Sequence, residues 1–122
     1  MFEVSSEVQF SAAHHLTNYV GPCEKVHGHN WKVNATIQCA VLDVSGIGID
    51  FRILKNALNE IVNELDHTDL NTVFDPRGEN PSSEHIARFI FSKLQSMVNS
   101  GSIRVVRVEV SETPGNTAAY FE

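Results

Sequence analysis

The chain has 122 residues and a net charge of −6, from nine Lys and Arg against fifteen Asp and Glu. This acidic balance argues against nucleic acid or an anionic membrane as a partner, because both are bound through basic surfaces. No apolar run approaches the roughly 18 residues of a membrane span. The first ten residues lack the basic start and apolar stretch of a signal peptide. We therefore expect one cytoplasmic domain over residues 1–122.

The first part of the chain contains two stretches in which apolar and polar residues alternate, as is typical of half-buried strands. They cover residues 2–14 and 27–38. A turn at Ser45-Gly46 and a short strand over 47–49 are expected to follow them.

The period changes at residue 51, where apolar residues begin to recur at i, i+3 and i+4. This pattern predicts a helix up to residue 65, capped by Asp50. Residues 66–81 are rich in Asp, Asn, Gly and Pro and predict a long loop. A second helix opens at 80–82 and stops at 99–101, and an alternating strand over 106–112 runs into a turn at 114–115. Two amphipathic helices and about four strands predict an α+β fold, with the helices on one face of an antiparallel sheet.

Three of the six histidines share the apolar side of the predicted strands. His27 and His29 are in phase with Trp31, and His14 is in phase with the apolar residues of the first strand, whereas His15 lies on the polar side. Residues two apart project from the same face of a strand, so the three imidazoles point to the covered side. Each alone is more often a hydrogen-bonded core histidine. Three together with an open position are typical of catalytic zinc.

Other residues also have candidate chemical roles. Cys23 lies in a loop near His27, where a dication would favour its thiolate, although a free Cys is usually a small buried residue. Cys39 ends an alternating strand, and we interpret it as structural. Asp66 next to His67 can orient an imidazole as a proton donor or can simply belong to a helix end. Glu112 has apolar-face parity, and a buried carboxylate needs a partner, such as a ligand with adjacent N–H donors.

Six short motifs occur in order along the chain. They are Phe10-Ser11-Ala12-Ala13-His14, Cys23-xxx-His27-Gly28-His29-Asn30, Ile49-Asp50-Phe51-xx-Leu54-Lys55, Leu65-Asp66-His67-xx-Leu70-Asn71, Asn80-Pro81-Ser82-Ser83-Glu84 and Val110-Ser111-Glu112-Thr113-Pro114. Together they closely resemble the 6-pyruvoyltetrahydropterin synthase / 6-carboxytetrahydropterin synthase family over nearly the whole chain.

The resemblance implies the tunnelling fold, a four-stranded antiparallel sheet with two helices on one side. Three subunits join their sheets into a barrel, and two trimers form a hexamer. It also implies that His14, His27 and His29 hold zinc and that Cys23 is the proton-abstracting base. Asp66 and His67 from a neighbouring subunit complete the acid–base set, and Glu112 anchors the pterin ring.

The spacing within the second motif bears on the product. The spacing of three residues between Cys23 and His27 resembles that of the carboxy-forming enzymes of queuosine biosynthesis. Those enzymes act on 7,8-dihydroneopterin triphosphate and release acetaldehyde and triphosphate. A pyruvoyl synthase is the alternative. Glu24 with His27-Gly28-His29 resembles the motif of a folate branch, in which a Glu replaces the Cys and the product is 6-hydroxymethyl-7,8-dihydropterin. Because this chain carries both Cys23 and Glu24, a bifunctional enzyme is a further alternative. A catalytically idle, zinc-bound pterin-binding module is the alternative of another class. The joint presence of Cys23, Asp66, His67 and Glu112 counts against it.

Overall fold

The computed structural model describes residues 1–19, 21 and 25–122. In chain order its elements are β1 (Phe2–His14), β2 (His27–Cys39), α1 (Phe51–Asn63), α2 (Leu70–Phe74), a 3-10 turn (Asp75–Arg77), α3 (Ser83–Val98), β3 (Ile103–Thr113) and β4 (Asn116–Phe121). The strands form one antiparallel sheet in the order β1-β2-β3-β4. The predicted α+β fold with a four-stranded antiparallel sheet is confirmed.

The two long helices cover one face of this sheet. Helix α1 packs against β1, α3 packs against β3 and β4, and the two helices contact each other. The strand residues beneath them are buried, among them Trp31, Val33 and Val110, and the alternate residues are more exposed. The alternation of the sequence therefore assigned the two faces of β1 and β2 correctly. In β3 the predicted alternation from residue 106 was wrong at its start, because a register shift opposite Thr36 and Ile37 buries Val105 in place of Val106. Among the described residues, no helix combines the length and the apolar character needed to cross a membrane.

The register of β1 on β2 brings the histidines to one end of the sheet. His14 pairs with His27, and Ala12 pairs with His29. Two residues further along, Phe10 pairs with Trp31, and their rings stack with centroids 5.9 Å apart. The end of the sheet that carries the histidines thus rests on a buried aromatic layer.

Both predicted helix starts are confirmed by their caps. The side chain of Asp50 accepts a hydrogen bond from the backbone N–H of Arg52 at 2.8 Å, and Ser82 Oγ accepts from that of His85 at 3.2 Å. Helix α1 ends at Asn63, two residues before the predicted end. Ile53 belongs to the apolar residues that recur from residue 51, but it is 59% exposed, because it lies at the margin of the apolar stripe.

Three local predictions were wrong or incomplete. Residues 47–49 do not form a strand, because the Asp43 side chain accepts from the N–H groups of Ser45 and Ile47 and closes a tight turn. The region 66–81 is not only loop. It contains α2, since Leu70 and Phe74 lie four residues apart and are both buried. Strand β4 had no clear alternation of its own and pairs with β3 after the predicted turn.

Candidate metal centre

The three predicted histidines converge at the histidine end of the sheet, and Glu112 of β3 joins them. One ligating atom from each of the four residues lies within 4.8 Å of the others. The carboxylate oxygen Oε1 of Glu112 is 3.0 Å from Nε2 of His14, 3.6 Å from that of His27 and 2.8 Å from that of His29. Three strands therefore contribute ligating atoms to one point.

Strand register explains why these four residues meet. Val110 of β3 lies opposite Val33 of β2, so Glu112, two residues on, lies at the level of Trp31 and on the same helix-covered face. Trp31 supports the cluster from below, with its ring edge-on to those of His14 at 4.8 Å and His29 at 5.5 Å. A fully buried indole fixes the floor of the site.

Backbone carbonyls determine which imidazole nitrogen faces the centre. His14 Nδ1 lies 2.7 Å from the carbonyl oxygen of Pro81, and His27 Nδ1 lies 2.6 Å from that of Lys25. A carbonyl only accepts hydrogen bonds, so both Nδ1 atoms carry the proton and donate. In a neutral imidazole the lone pair then lies on Nε2, the atom that points to the centre. Such outer partners orient metal-ligating histidines in proteins.

His29 is the third imidazole of the cluster, and its Nε2 also faces Glu112. Its Nε2 atom is buried and lies 2.8 Å from Glu112 Oε1, and no hydrogen bond joins it to another of the described residues. Burial lowers the pKa of His29, and the nearby His27 and His14 lower it further, whereas Glu112 opposes the shift. The neutral, ligating form is thereby favoured. Three imidazole Nε2 atoms and one carboxylate oxygen that meet at one point fit a divalent metal ion that takes nitrogen ligands.

Glu112 has a second environment beside the histidines. It lines a cavity of about 180 Å³ with Ser83 and Glu84 at the start of α3, and with 116–118 of β4. The sequence assigned this carboxylate to a ligand and did not anticipate its contact with the histidines. Glu112 lies between the histidines and the cavity, so it can contact a metal ion on one side or a ligand on the other.

Asp66 and His67 form a separate pair on the outer edge of β1. Asp66 Oδ1 accepts from the N–H of Ser11 at 2.9 Å, and Asp66 Oδ2 lies 2.9 Å from His67 Nδ1. The hydrogen bond from Ser11 and then that from His67 lower the pKa of Asp66. The His67 side chain is 82% exposed, and the pair is not part of the four-residue cluster.

The two candidate bases, Cys23 and Glu24, lie outside the described residues. Cys39 is fully buried, in agreement with its structural interpretation. The sequence did not predict the carbonyls of Pro81 and Lys25 as partners of His14 and His27, because every residue has a backbone carbonyl.

An α+β fold with three imidazoles and a carboxylate at one sheet end defines a candidate metalloenzyme. A model of the 6-pyruvoyl tetrahydropterin synthase family matches residues 3–122. The chain is 37% identical to a 6-carboxy-5,6,7,8-tetrahydropterin synthase of Synechocystis sp., over 99% of this chain and 94% of that one. It is 39% identical to a putative 6-carboxy-5,6,7,8-tetrahydropterin synthase of Archaeoglobus fulgidus, over 89% and 86%.

Solved structures agree with this grouping. The structure of Caenorhabditis elegans 6-pyruvoyl tetrahydropterin synthase superposes with a TM-score of 0.87 at 26% identity, covering 99% of this chain and 95% of that one. The chain belongs to the 6-pyruvoyl tetrahydropterin synthase family.

Proposed function

We propose that this protein is a zinc-dependent lyase that converts 7,8-dihydroneopterin triphosphate to 6-carboxy-5,6,7,8-tetrahydropterin, for queuosine biosynthesis. The reaction consumes water and releases acetaldehyde and triphosphate. The observation that carries the proposal is the convergence of three imidazole Nε2 atoms on one point, in a chain of this family. The 37% identity to a relative named for the carboxy product supports this product over the pyruvoyl one.

Each site residue has a role in this proposal. His14, His27 and His29 hold the zinc, which supplies Lewis-acid polarisation of the substrate's side-chain hydroxyls. Cys23 abstracts a proton from the substrate side chain, and the Asp66–His67 pair of a neighbouring copy returns or removes protons at the hydroxyls. The exposure of His67 supports a role toward another copy.

Glu112 anchors the pterin ring. The ring presents adjacent N–H donors that a carboxylate can accept in pairs, as it does from a guanidinium. The 180 Å³ cavity between Glu112 and the start of α3 supports this role, because it offers space for a ligand next to the carboxylate.

Lys25 offsets part of the charge of the triphosphate. Lys25, Arg77 and Arg88 are the three candidate cations for this role, and both arginines pair with Glu79, at 3.7 and 2.9 Å. Lys25 is exposed, and its carbonyl is bound by His27, so its backbone lies beside the metal centre. Lys25 is therefore the cation of the three best placed to meet a polyanion.

Product identification tests the proposal. Zinc-loaded protein should convert 7,8-dihydroneopterin triphosphate to a product with the mass of 6-carboxy-5,6,7,8-tetrahydropterin, together with acetaldehyde. A pyruvoyl product would instead support the alternative synthase. Binding of the pterin without any product would support an idle binding module and overturn the enzymatic proposal.

Assembly into a hexamer of two trimers is part of the proposal. Strands β1 and β4 are the two edges of the sheet, and open edges favour pairing with another chain. The outer edge of β1 is occupied at Ser11 and Ala13 by the segment 66–69. Residues 3, 5, 7 and 9 present their N–H groups on that same edge. These residues span seven positions and β4 has six, so β1 of one copy can pair with β4 of the next over the whole length of β4.

Glu7→Pro tests this edge. It removes an N–H group that faces away from β2, so the sheet of one chain should persist while the assembly dissociates. Light scattering should show a hexamer for the wild type and for Glu7→Ala, and a smaller species for Glu7→Pro. A stable 13.5 kDa wild-type monomer at micromolar concentration would refute the assembly.

A further inference from the structure

Beyond the end of β1, asparagine side chains replace a partner strand. Asn71 Oδ1 accepts from the N–H of His15 at 2.9 Å, and its Nδ2 donates to the His15 carbonyl at 3.1 Å. Asn80 does the same for Thr17, with bonds of 2.9 and 2.8 Å, and also accepts from the Thr17 hydroxyl at 2.8 Å. Two side-chain amides thus hold the backbone that leads away from His14.

Asn80 differs from Asn71 in its next neighbour along the chain. That neighbour is Pro81, whose carbonyl oxygen accepts from His14 Nδ1 at 2.7 Å in a buried contact. The segment from His14 to Thr17 is therefore tied to residues 80–81 at both of its ends, by the imidazole at one end and by the Asn80 amide at the other. Contacts at two points restrain the relative position of two segments far more than either does alone.

Residues 80–82 are themselves fixed to α3. The carbonyl of Asn80 accepts from His85 Nδ1 at 2.7 Å, and Ser82 caps the helix. The Pro81 carbonyl is accordingly presented from a helix-bound platform. Loss of the Asn80 amide would release the strand end from this platform and leave the His14 contact to hold alone.

We infer that Asn80 is a positioning residue for the metal centre, acting through Pro81 and Thr17 on His14. The inference rests on the proposed zinc binding. Loss of an outer partner of a metal ligand typically weakens metal affinity about 10- to 100-fold. Because Asn80 acts one contact further out, we place its effect near the lower end, at about tenfold.

Zinc affinity of the purified protein, measured by competition with a chelator, tests the inference. Asn80→Ala should bind zinc about tenfold more weakly than the wild type. The matched control is Asn99→Ala. Asn99 Oδ1 accepts from the N–H of Val105 at 2.8 Å, at the end of α3 remote from the histidines. Both variants lose amide-to-backbone hydrogen bonds and should have a lower Tm, but only Asn80→Ala should lose zinc affinity.

Thr17→Val keeps the inference testable if Asn80→Ala does not fold. It removes one of the three hydrogen bonds between Thr17 and Asn80 and should weaken zinc binding by about twofold, less than Asn80→Ala does. A folded Asn80→Ala with wild-type zinc affinity, or an equal loss in Asn99→Ala, would overturn the inference. A wild-type protein that binds no zinc would overturn the proposed function, and this inference with it.

Discussion

Replacing His29 by alanine should abolish stoichiometric zinc binding and, with it, turnover. His29 supplies one of three Nε2 atoms directed at the centre, and its own Nε2 is buried 2.8 Å from Glu112 Oε1. Removing a ligand should weaken binding by more than the roughly 10- to 100-fold typical of an outer partner. Metal analysis of the purified variant, with one zinc per wild-type chain as reference, measures the loss.

His15→Ala is the matched control for this experiment. His15 follows His14 directly but does not belong to the four-residue cluster. It should retain one zinc per chain. Equal zinc loss in the two variants, or full zinc in His29→Ala, would contradict the ligand assignment.

Acid should also release the metal, since protons compete for imidazole nitrogen. Burial lowers the pKa of His29, so this imidazole should accept a proton at a lower pH than an ordinary histidine does.

Replacing Cys23 by alanine should leave zinc and pterin binding intact while lowering turnover by about 10²–10⁴, the usual cost of losing a general base. Binding is retained in this expectation because the zinc is assigned to the histidines and the pterin to Glu112. Single-turnover rates, with zinc content measured on the same sample, separate the two effects. A Cys23→Ala rate near that of the wild type would remove Cys23 from the mechanism.

Glu24 provides the comparison variant. If the protein is bifunctional, Glu24→Ala should keep the carboxy product and lose any 6-hydroxymethyl-7,8-dihydropterin, and Cys23→Ala should do the reverse. A solvated loop acid with no catalytic role is the competing interpretation. Chromatography of the products decides between them. An unchanged product ratio in Glu24→Ala would reject the bifunctional interpretation.

The sheet and the direction of its histidines could be predicted because both depend on a period of two. Alternation in 2–14 and 27–38 assigned His14, His27 and His29 to the buried face without any knowledge of the partner strands. Helices α1 and α3 were recognisable from their period and caps. Periodicity and capping depend on residues that are close together in the chain, so they can be recognised in a single sequence.

The missed features depend on contacts between distant parts of the chain. Strand β4 is short and is held by pairing with β3 and by packing on α3. The five-residue α2 has a local cap at Asp69 but is too short for its apolar spacing to stand out in the sequence. The contact of Glu112 with His14 joins residues 98 positions apart, and the Pro81 carbonyl reaches His14 across 67. Such contacts require the register of the whole sheet, which local pattern does not supply.

The metal dependence of product formation tests the proposed zinc chemistry itself. Wild-type protein stripped of metal by a chelator should form no product from 7,8-dihydroneopterin triphosphate, and one equivalent of zinc per chain should restore formation of 6-carboxy-5,6,7,8-tetrahydropterin. His29→Ala treated in the same way should not recover. Metal-free wild-type protein that forms the product at the rate of the zinc-loaded protein would contradict a zinc-dependent lyase.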